Sequence, residues 1–192
     1  MQSKNEITLR NTLNKFNELT DIEFQEFLTV CEYKEFSKKE YLLKSGNYNY
    51  GIYFVISGAV GLFEQIDGRE MYQNFFLESQ FANELKSLTT QTPSTKNLIA
   101  LNDTTSFHLS RKKLLQLYEK SVSFERLGRK LLEHILNGQN EISYVLQSLK
   151  PEERYVYLEN ERPNLLNTIP LTYLASYLGL ARETLSRIRA KK

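Results

Sequence analysis

Apolar residues recur at helical spacing near the start of the chain, first as Leu9, Leu13 and Phe16 and then as Ile22, Phe24, Phe27 and Leu28. That pattern predicts two short helices between Ile7 and Val30, with Thr20 and Asp21 as capping residues between them, since their side-chain oxygens can accept from the free amides of the next turn. From Tyr33 to Leu109 the pattern changes to short runs of β-branched and aromatic residues (YLLK, IYFVI, AVGLF, MYQNFF, NLIAL, TSFHL), separated by the turn signals SGN, SGA, DGR and ND. Asp67-Gly68 is the strongest hairpin signal because both positions tolerate a positive φ. Five of the eight glycines (Gly46, Gly51, Gly58, Gly61, Gly68) fall in this region. Successive tight turns account for them without a ligand, and the region reads as an antiparallel sandwich or small barrel.

Beyond Ser110 the periodicity is helical again. Phe124, Leu131, Gly138 and Val145 recur every seven residues, interleaved with Gly128, Ile135, Ile142 and Leu149. The resulting stripe predicts a helix roughly 40 Å long, too long for one small β domain to cover. A second copy of the same helix is the simplest partner, so Phe124, Gly128, Leu131, Ile135, Gly138 and Ile142 are the expected dimer seam. Pro151, followed by Glu152 and Glu153, starts a new helix, because proline at the first position loses no needed amide and carboxylates favour the positive end of the helix dipole. Leu149-Lys150 is then the hinge. Pro163 stops that helix, and Ile169-Pro170 marks the entry to the last unit.

"LTYLASYLGLARETLSRIRA" reads as two helices, Leu171 to Leu178 and Ala181 to about Arg189, turning at Gly179. Leu174, Leu178, Leu180, Leu185 and Ile188 fall inside, and Ala175 is small where the helices cross. The outer face of the second helix is then Arg182, Glu183, Thr184, Ser186 and Arg187. Arginine can donate twice to guanine, glutamate can accept from cytosine, and serine or threonine can reach phosphate or base edges. Thr172 and Arg189 complete the set of expected DNA contacts. The overall formal charge of +2 says little about partners, but Arg182, Arg187, Arg189, Lys191 and Lys192 stand against Glu183 alone in the last segment. That is the local charge that phosphate contacts need.

Composition removes other classes. A single cysteine, Cys31, excludes an internal disulfide framework and an iron-sulfur cluster, and His108 and His134 cannot build a three-histidine zinc site. GxSxG and Gly-rich phosphate loops are missing from the sequence, so no enzymatic activity and no cofactor are expected. No apolar run reaches the roughly 18 residues that cross a bilayer, and the N-terminus reads as no signal peptide. The expected location is the cytoplasm.

The chain also resembles the Crp/Fnr superfamily of bacterial transcription regulators, built around the cyclic-AMP receptor protein. "LLKSGNYNYGIYFVISGAVGLF" is similar to the start of its cyclic-nucleotide-binding β-roll, "ANELKSLTTQTPSTKNLIAL" occupies the place of its phosphate-binding cassette, and "LGLARETLSRIR" is close to its recognition helix. The segment from Ser148 to Arg189 is particularly similar to the branch common in Bacteroidetes. The resemblance implies an α+β fold with an antiparallel β-roll (double-stranded β-helix or jelly roll) and flanking helices over residues 1–120, a long dimerisation helix over 121–150 and a helix-turn-helix DNA-binding domain over 151–192. It makes Arg182, Glu183 and Arg187 the base-reading residues.

Two departures qualify it. The family's Gly-Glu-Leu turn is Asn83-Glu84-Leu85 here, and Ser94 or Thr95 stands where its phosphate-binding arginine would be. Glu84 could still hold a ribose hydroxyl, but a buried anion without its cation costs about 3 to 5 kcal/mol. These five residues therefore form a degenerate pocket, and strand alternation alone does not aim Lys96 into it. The family often continues into a β-hairpin wing, and only Ala190, Lys191 and Lys192 follow the last helix here. The expected partners are a near-palindromic duplex DNA, a second copy of the chain, RNA polymerase and an effector of unassigned identity, with no membrane. The rival readings are a cyclic-nucleotide-gated regulator with non-standard phosphate contacts and a β-roll interaction module without DNA binding. A cupin-type metalloenzyme is disfavoured by the lack of a histidine cluster.

Overall fold

A computed structural model describes residues 3–191. Two helices, α1 (Lys4–Asn14) and α2 (Asp21–Val30), lead into eight strands: β1 (Glu32–Phe36), β2 (Tyr41–Leu43), β3 (Gly51–Ser57), β4 (Val60–Ile66), β5 (Arg69–Phe76), β6 (Phe81–Ala82), β7 (Lys96–Ala100) and β8 (Thr104–Ser110). A short helix, α3 (Leu85–Thr90), interrupts them before β7. There follow α4 (Arg111–Lys120), α5 (Val122–Ser148), α6 (Pro151–Glu161), α7 (Pro163–Thr168), α8 (Leu171–Tyr177) and α9 (Arg182–Ala190).

Local chemistry sets most of these boundaries. Thr20 caps α2 through its side chain while Glu23 reaches back to the Thr20 amide, a reciprocal arrangement that satisfies two otherwise free donors, and Ser3 and Glu6 do the same for α1. Pro151 and Pro163 occupy the first positions of α6 and α7. Asp67 and Gly68 both have positive φ, as the hairpin between β4 and β5 requires.

The strands form two antiparallel sheets, ordered β1-β8-β3-β6 and β2-β7-β4-β5. The expected α+β fold with an antiparallel roll and C-terminal helices is the observed one. Between the sheets lie Val55, Val60, Leu62, Phe76 and Leu98. The outer face of the first sheet, with Phe54, Phe81 and Leu109, packs on α1, α2, α4 and the start of α5. The outer face of the second carries Phe63, Tyr72, Phe75 and Ile99, which share one buried cluster with Tyr155, Leu158, Leu165, Leu174, Tyr177, Leu178, Leu185 and Ile188 of α6 to α9. The C-terminal helices are therefore packed onto the roll, not suspended beyond a free linker.

Candidate nucleic-acid interface and open cavity

In the last unit, Leu174 and Ala175 of α8 and Leu178 just after it bury against Leu185 and Ile188 of α9, and Leu180 packs at the edge of the same cluster. Gly179 turns the chain with φ +64, a conformation that L side chains rarely adopt. With its apolar side turned inward, α9 presents Arg182, Glu183, Ser186, Arg187 and Arg189 to solvent, while Thr184 is half-buried. Thr172, in the first turn of α8, is also exposed. No described ion pair uses these arginines. The sequence thus placed the polar face where it lies. Lys192 of the basic end falls outside the described residues.

The opposite side of α8 faces the roll. Ser176 donates from its hydroxyl to the Glu70 carbonyl at 2.7 Å and accepts from the Tyr72 amide at 3.0 Å. The Tyr72 and Tyr173 rings lie 4.6 Å apart, and Arg162 donates to Asn74 Oδ1, the Phe75 carbonyl and the Tyr177 hydroxyl. Arg154, at the other side of α6, donates to the carbonyls of Leu146, Leu149 and Leu178. Neither arginine carried a sequence signal, because a guanidinium bound to carbonyls leaves no spacing pattern.

Between the roll, α5 and α6 lies a cavity of about 830 Å³, towards the upper end of the usual ~300–1,000 Å³ of small-molecule sites. Asn83, Glu84 and Leu85 line it. Glu84, however, is committed: its carboxylate accepts from the amides of Lys86 at 3.2 Å and Ser87 at 2.8 Å, capping α3. The Asn83 side-chain amide donates to the Phe81 carbonyl. Ser94 and Thr95 do not line the cavity, which corrects the expectation for them. The Ser94 hydroxyl closes a turn on the backbone N–H and C=O of Lys96, Ser94 is buried there, and Thr95 points to solvent. Lys96 does line the cavity, because it sits opposite Glu64 in register and next but one to the inward Leu98. Lys86 is a second cation on its wall.

Much of the predicted seam has partners within its own chain. Phe124 is 1 % exposed within its own chain, Leu131 packs on the same cluster, and a Cβ on Gly128 would meet the Tyr118 ring of α4. Ile135, Gly138 and Ile142 line the cavity. This stripe faces the chain's own roll because a heptad pattern shows that a face is covered but not by what. Turned away from the roll on α5 are Leu132, 38 % exposed, and Leu136, 45 % exposed, one turn apart.

Among the described residues no group of three or more His, Cys, Asp or Glu could hold a metal ion, and no helix is long and apolar enough to cross a membrane.

Residues 33–121 match the family model of the cyclic nucleotide-binding domain. No curated protein matches the chain. Solved structures do: FixK2 from Bradyrhizobium japonicum is 22 % identical with a TM-score of 0.73, the alignment covering 84 % of each chain. The catabolite activator protein of Thermus thermophilus is 22 % identical with a TM-score of 0.60, over 94 % of this chain and 85 % of that one. The c-di-GMP responsive global regulator CLP of Xanthomonas campestris is 19 % identical with a TM-score of 0.66, over 90 % of this chain and 91 % of that one. These likenesses bear on the fold.

Proposed function

We propose that the chain is a sequence-specific DNA-binding transcription regulator that works as a homodimer, with residues 1–120 as sensor, 121–150 as dimerisation helix and 151–192 as DNA-binding unit. The observation that carries the reading is α9: Leu185 and Ile188 are turned inward, and its solvent side holds Arg182, Glu183, Ser186 and Arg187 with no ion pair among the described residues. A free, rigid face of this chemistry suits the major groove, with residues near the helix N-terminus reading base edges. The structural likeness to CLP, a global regulator by description, supports the same reading.

The second copy docks on the outward side of α5, through Leu132 and Leu136. Phe124 and Gly128, satisfied within their own chain, take no part. A two-fold axis along paired α5 helices would bring the two α9 helices to successive major grooves about 34 Å apart.

Selection from a random duplex library by the full chain, without added ligand and at about physiological salt, tests this. Enrichment of a two-fold symmetric site is expected, and recovery of no site would contradict it. A second reading has its own observation: Lys96 and Lys86 line the cavity although the family's arginine is absent. An anionic effector held through Lys96, a cyclic nucleotide included, would then gate the protein. Calorimetric titration with cyclic AMP, expected to show heat in the wild type and none in Lys96→Ala, separates it from an effector-free regulator.

A further inference from the structure

Arg154 stands in the first turn of α6 and connects three segments through one planar group. Its Nε donates to the Leu149 carbonyl at 2.9 Å, one Nη to Leu146 at 2.8 Å and the other to Leu178 at 2.9 Å. Leu146 and Leu149 close α5, and Leu178 closes α8, directly before the Gly179 turn. All three acceptors are thus carbonyls at helix C-termini, the negative ends of two helix dipoles. The guanidinium lies so close to the turn that a Cβ on Gly179 would come within 3.3 Å of it. No carboxylate pairs with it among the described residues.

A flat fork with fixed donor directions can meet carbonyls from two helices only when those helices hold one mutual pose; a lysine, a point charge on a flexible stem, imposes no such condition. Arg162 grips the far end of α6, tying it to Asn74 and Phe75 of β5 and to Tyr177 of α8. The segment at Leu149-Lys150, expected from the sequence to be a hinge, is therefore braced on both sides. Since Leu185 and Ile188 fasten α9 to α8 within one buried cluster, a brace on α8 is a brace on the reading helix.

We propose that Arg154 is the positioning residue that sets which half-site spacing the protein reads. The inference rests on the dimeric DNA-binding reading above. If the two-fold axis runs between paired α5 helices, the distance between the two α9 helices is fixed by how each α9 is held relative to its own α5. Arg154 joins the end of α5 directly to the end of α8, on which α9 is packed. Its role is separate from base reading: it touches no solvent-exposed face of α9 and sets where that face is carried.

The test is the duplex selection repeated with the full-length Arg154→Met, which keeps an unbranched apolar stem and removes every donor. The wild type is expected to enrich one half-site spacing. In Arg154→Met the same half-site sequence is expected, but duplexes one base pair longer or shorter should rise, so that the preference between spacings falls at least tenfold. Arg154→Lys should fall between the two. An unchanged single spacing in Arg154→Met would overturn the proposal, and so would loss of base preference inside the half-site, which would mean that Arg154 holds the reading unit together and does not aim it.

A second measurement does not depend on DNA. Spin labels on cysteines placed at Lys130 of α5 and Ala190 of α9, both exposed, report the pose within one chain when labelled protein is diluted with unlabelled. The native Cys31, half-buried, is replaced by serine in both labelled proteins so that only the two introduced thiols carry labels. A narrow distance distribution in the wild type that broadens in Arg154→Met is expected; equal widths would overturn the proposal. Should the wild type enrich no duplex, the regulator reading fails by itself, while the label distances still decide whether Arg154 fixes α9 on α5.

Discussion

His108 shows how much a single buried atom can decide. It lies on β8 with its ring 4.6 Å from that of Tyr53, and its Nδ1 is buried without a hydrogen-bond partner. Burial holds its pKa below the ordinary 6.5, against the attraction of Glu32 and assisted by the nearby Lys34 and Lys113. The neutral ring is the form the fold accepts. Its contribution is therefore fully present above about pH 6.5 and is lost as pH falls through the lowered value. Acidification from pH 7 to pH 5 should lower the melting temperature of the wild type more than that of His108→Phe, and parallel curves for the two proteins would refute this. At this scale the solvent-facing residues of α9 were legible, the half-buried Thr184 excepted, because they follow from which residues must turn inward. The capping role of Glu84 was not, since only the placement of the Lys86 and Ser87 amides reveals that its carboxylate is already occupied.

Elements were legible where periodicity was strong and became obscure where it was short or shared. The paired strands with their Asp-Gly turn, the 27-residue α5 and the α8–α9 pair all follow from spacing. Two short helices, α3 and α7, were missed: α3 sits within a polar run between strands, and α7 begins at the very proline taken as a stop. The intrachain partners of the predicted seam were obscure for a different reason, because α5 has two partly apolar sides and the stronger pattern belongs to the one its own roll covers. Two glycines on α5 separate these environments. A Cβ at Gly128 would come within 2.8 Å of several Tyr118 atoms, whereas at Gly138 it meets nothing within 4 Å. Gly128→Ala should therefore lose about 1–3 kcal/mol of unfolding free energy through overpacking. Gly138→Ala should gain up to about 1 kcal/mol from helix propensity. Denaturant melts of the two variants check both signs, and a similar effect from each would show that they share one environment.

In the whole molecule, the C-terminal helices and the roll share one buried core, so the default freedom of two domains on a linker does not apply. The aromatic residues Tyr72, Phe75, Tyr173 and Tyr177 would all be bared by undocking. An effector in the cavity would act on a body already held together, by changing how two such bodies pair. In the proposed dimer the contact is the outward side of α5. Leu132→Glu with Leu136→Glu should sediment as a monomer with little loss of thermal stability, because both side chains are already solvated within one chain; a persistent dimer would place the seam elsewhere. The central claim, that the solvent face of α9 reads base sequence, is tested most directly by Arg187→Ala. Its affinity would be measured on the selected duplex and on every single-base variant of one half-site, at fixed salt. The account predicts a loss of about 1–3 kcal/mol on the selected site, with discrimination relaxed at one base pair of the half-site and kept at the others. A loss spread evenly over all sequences, or no loss at all, would contradict it.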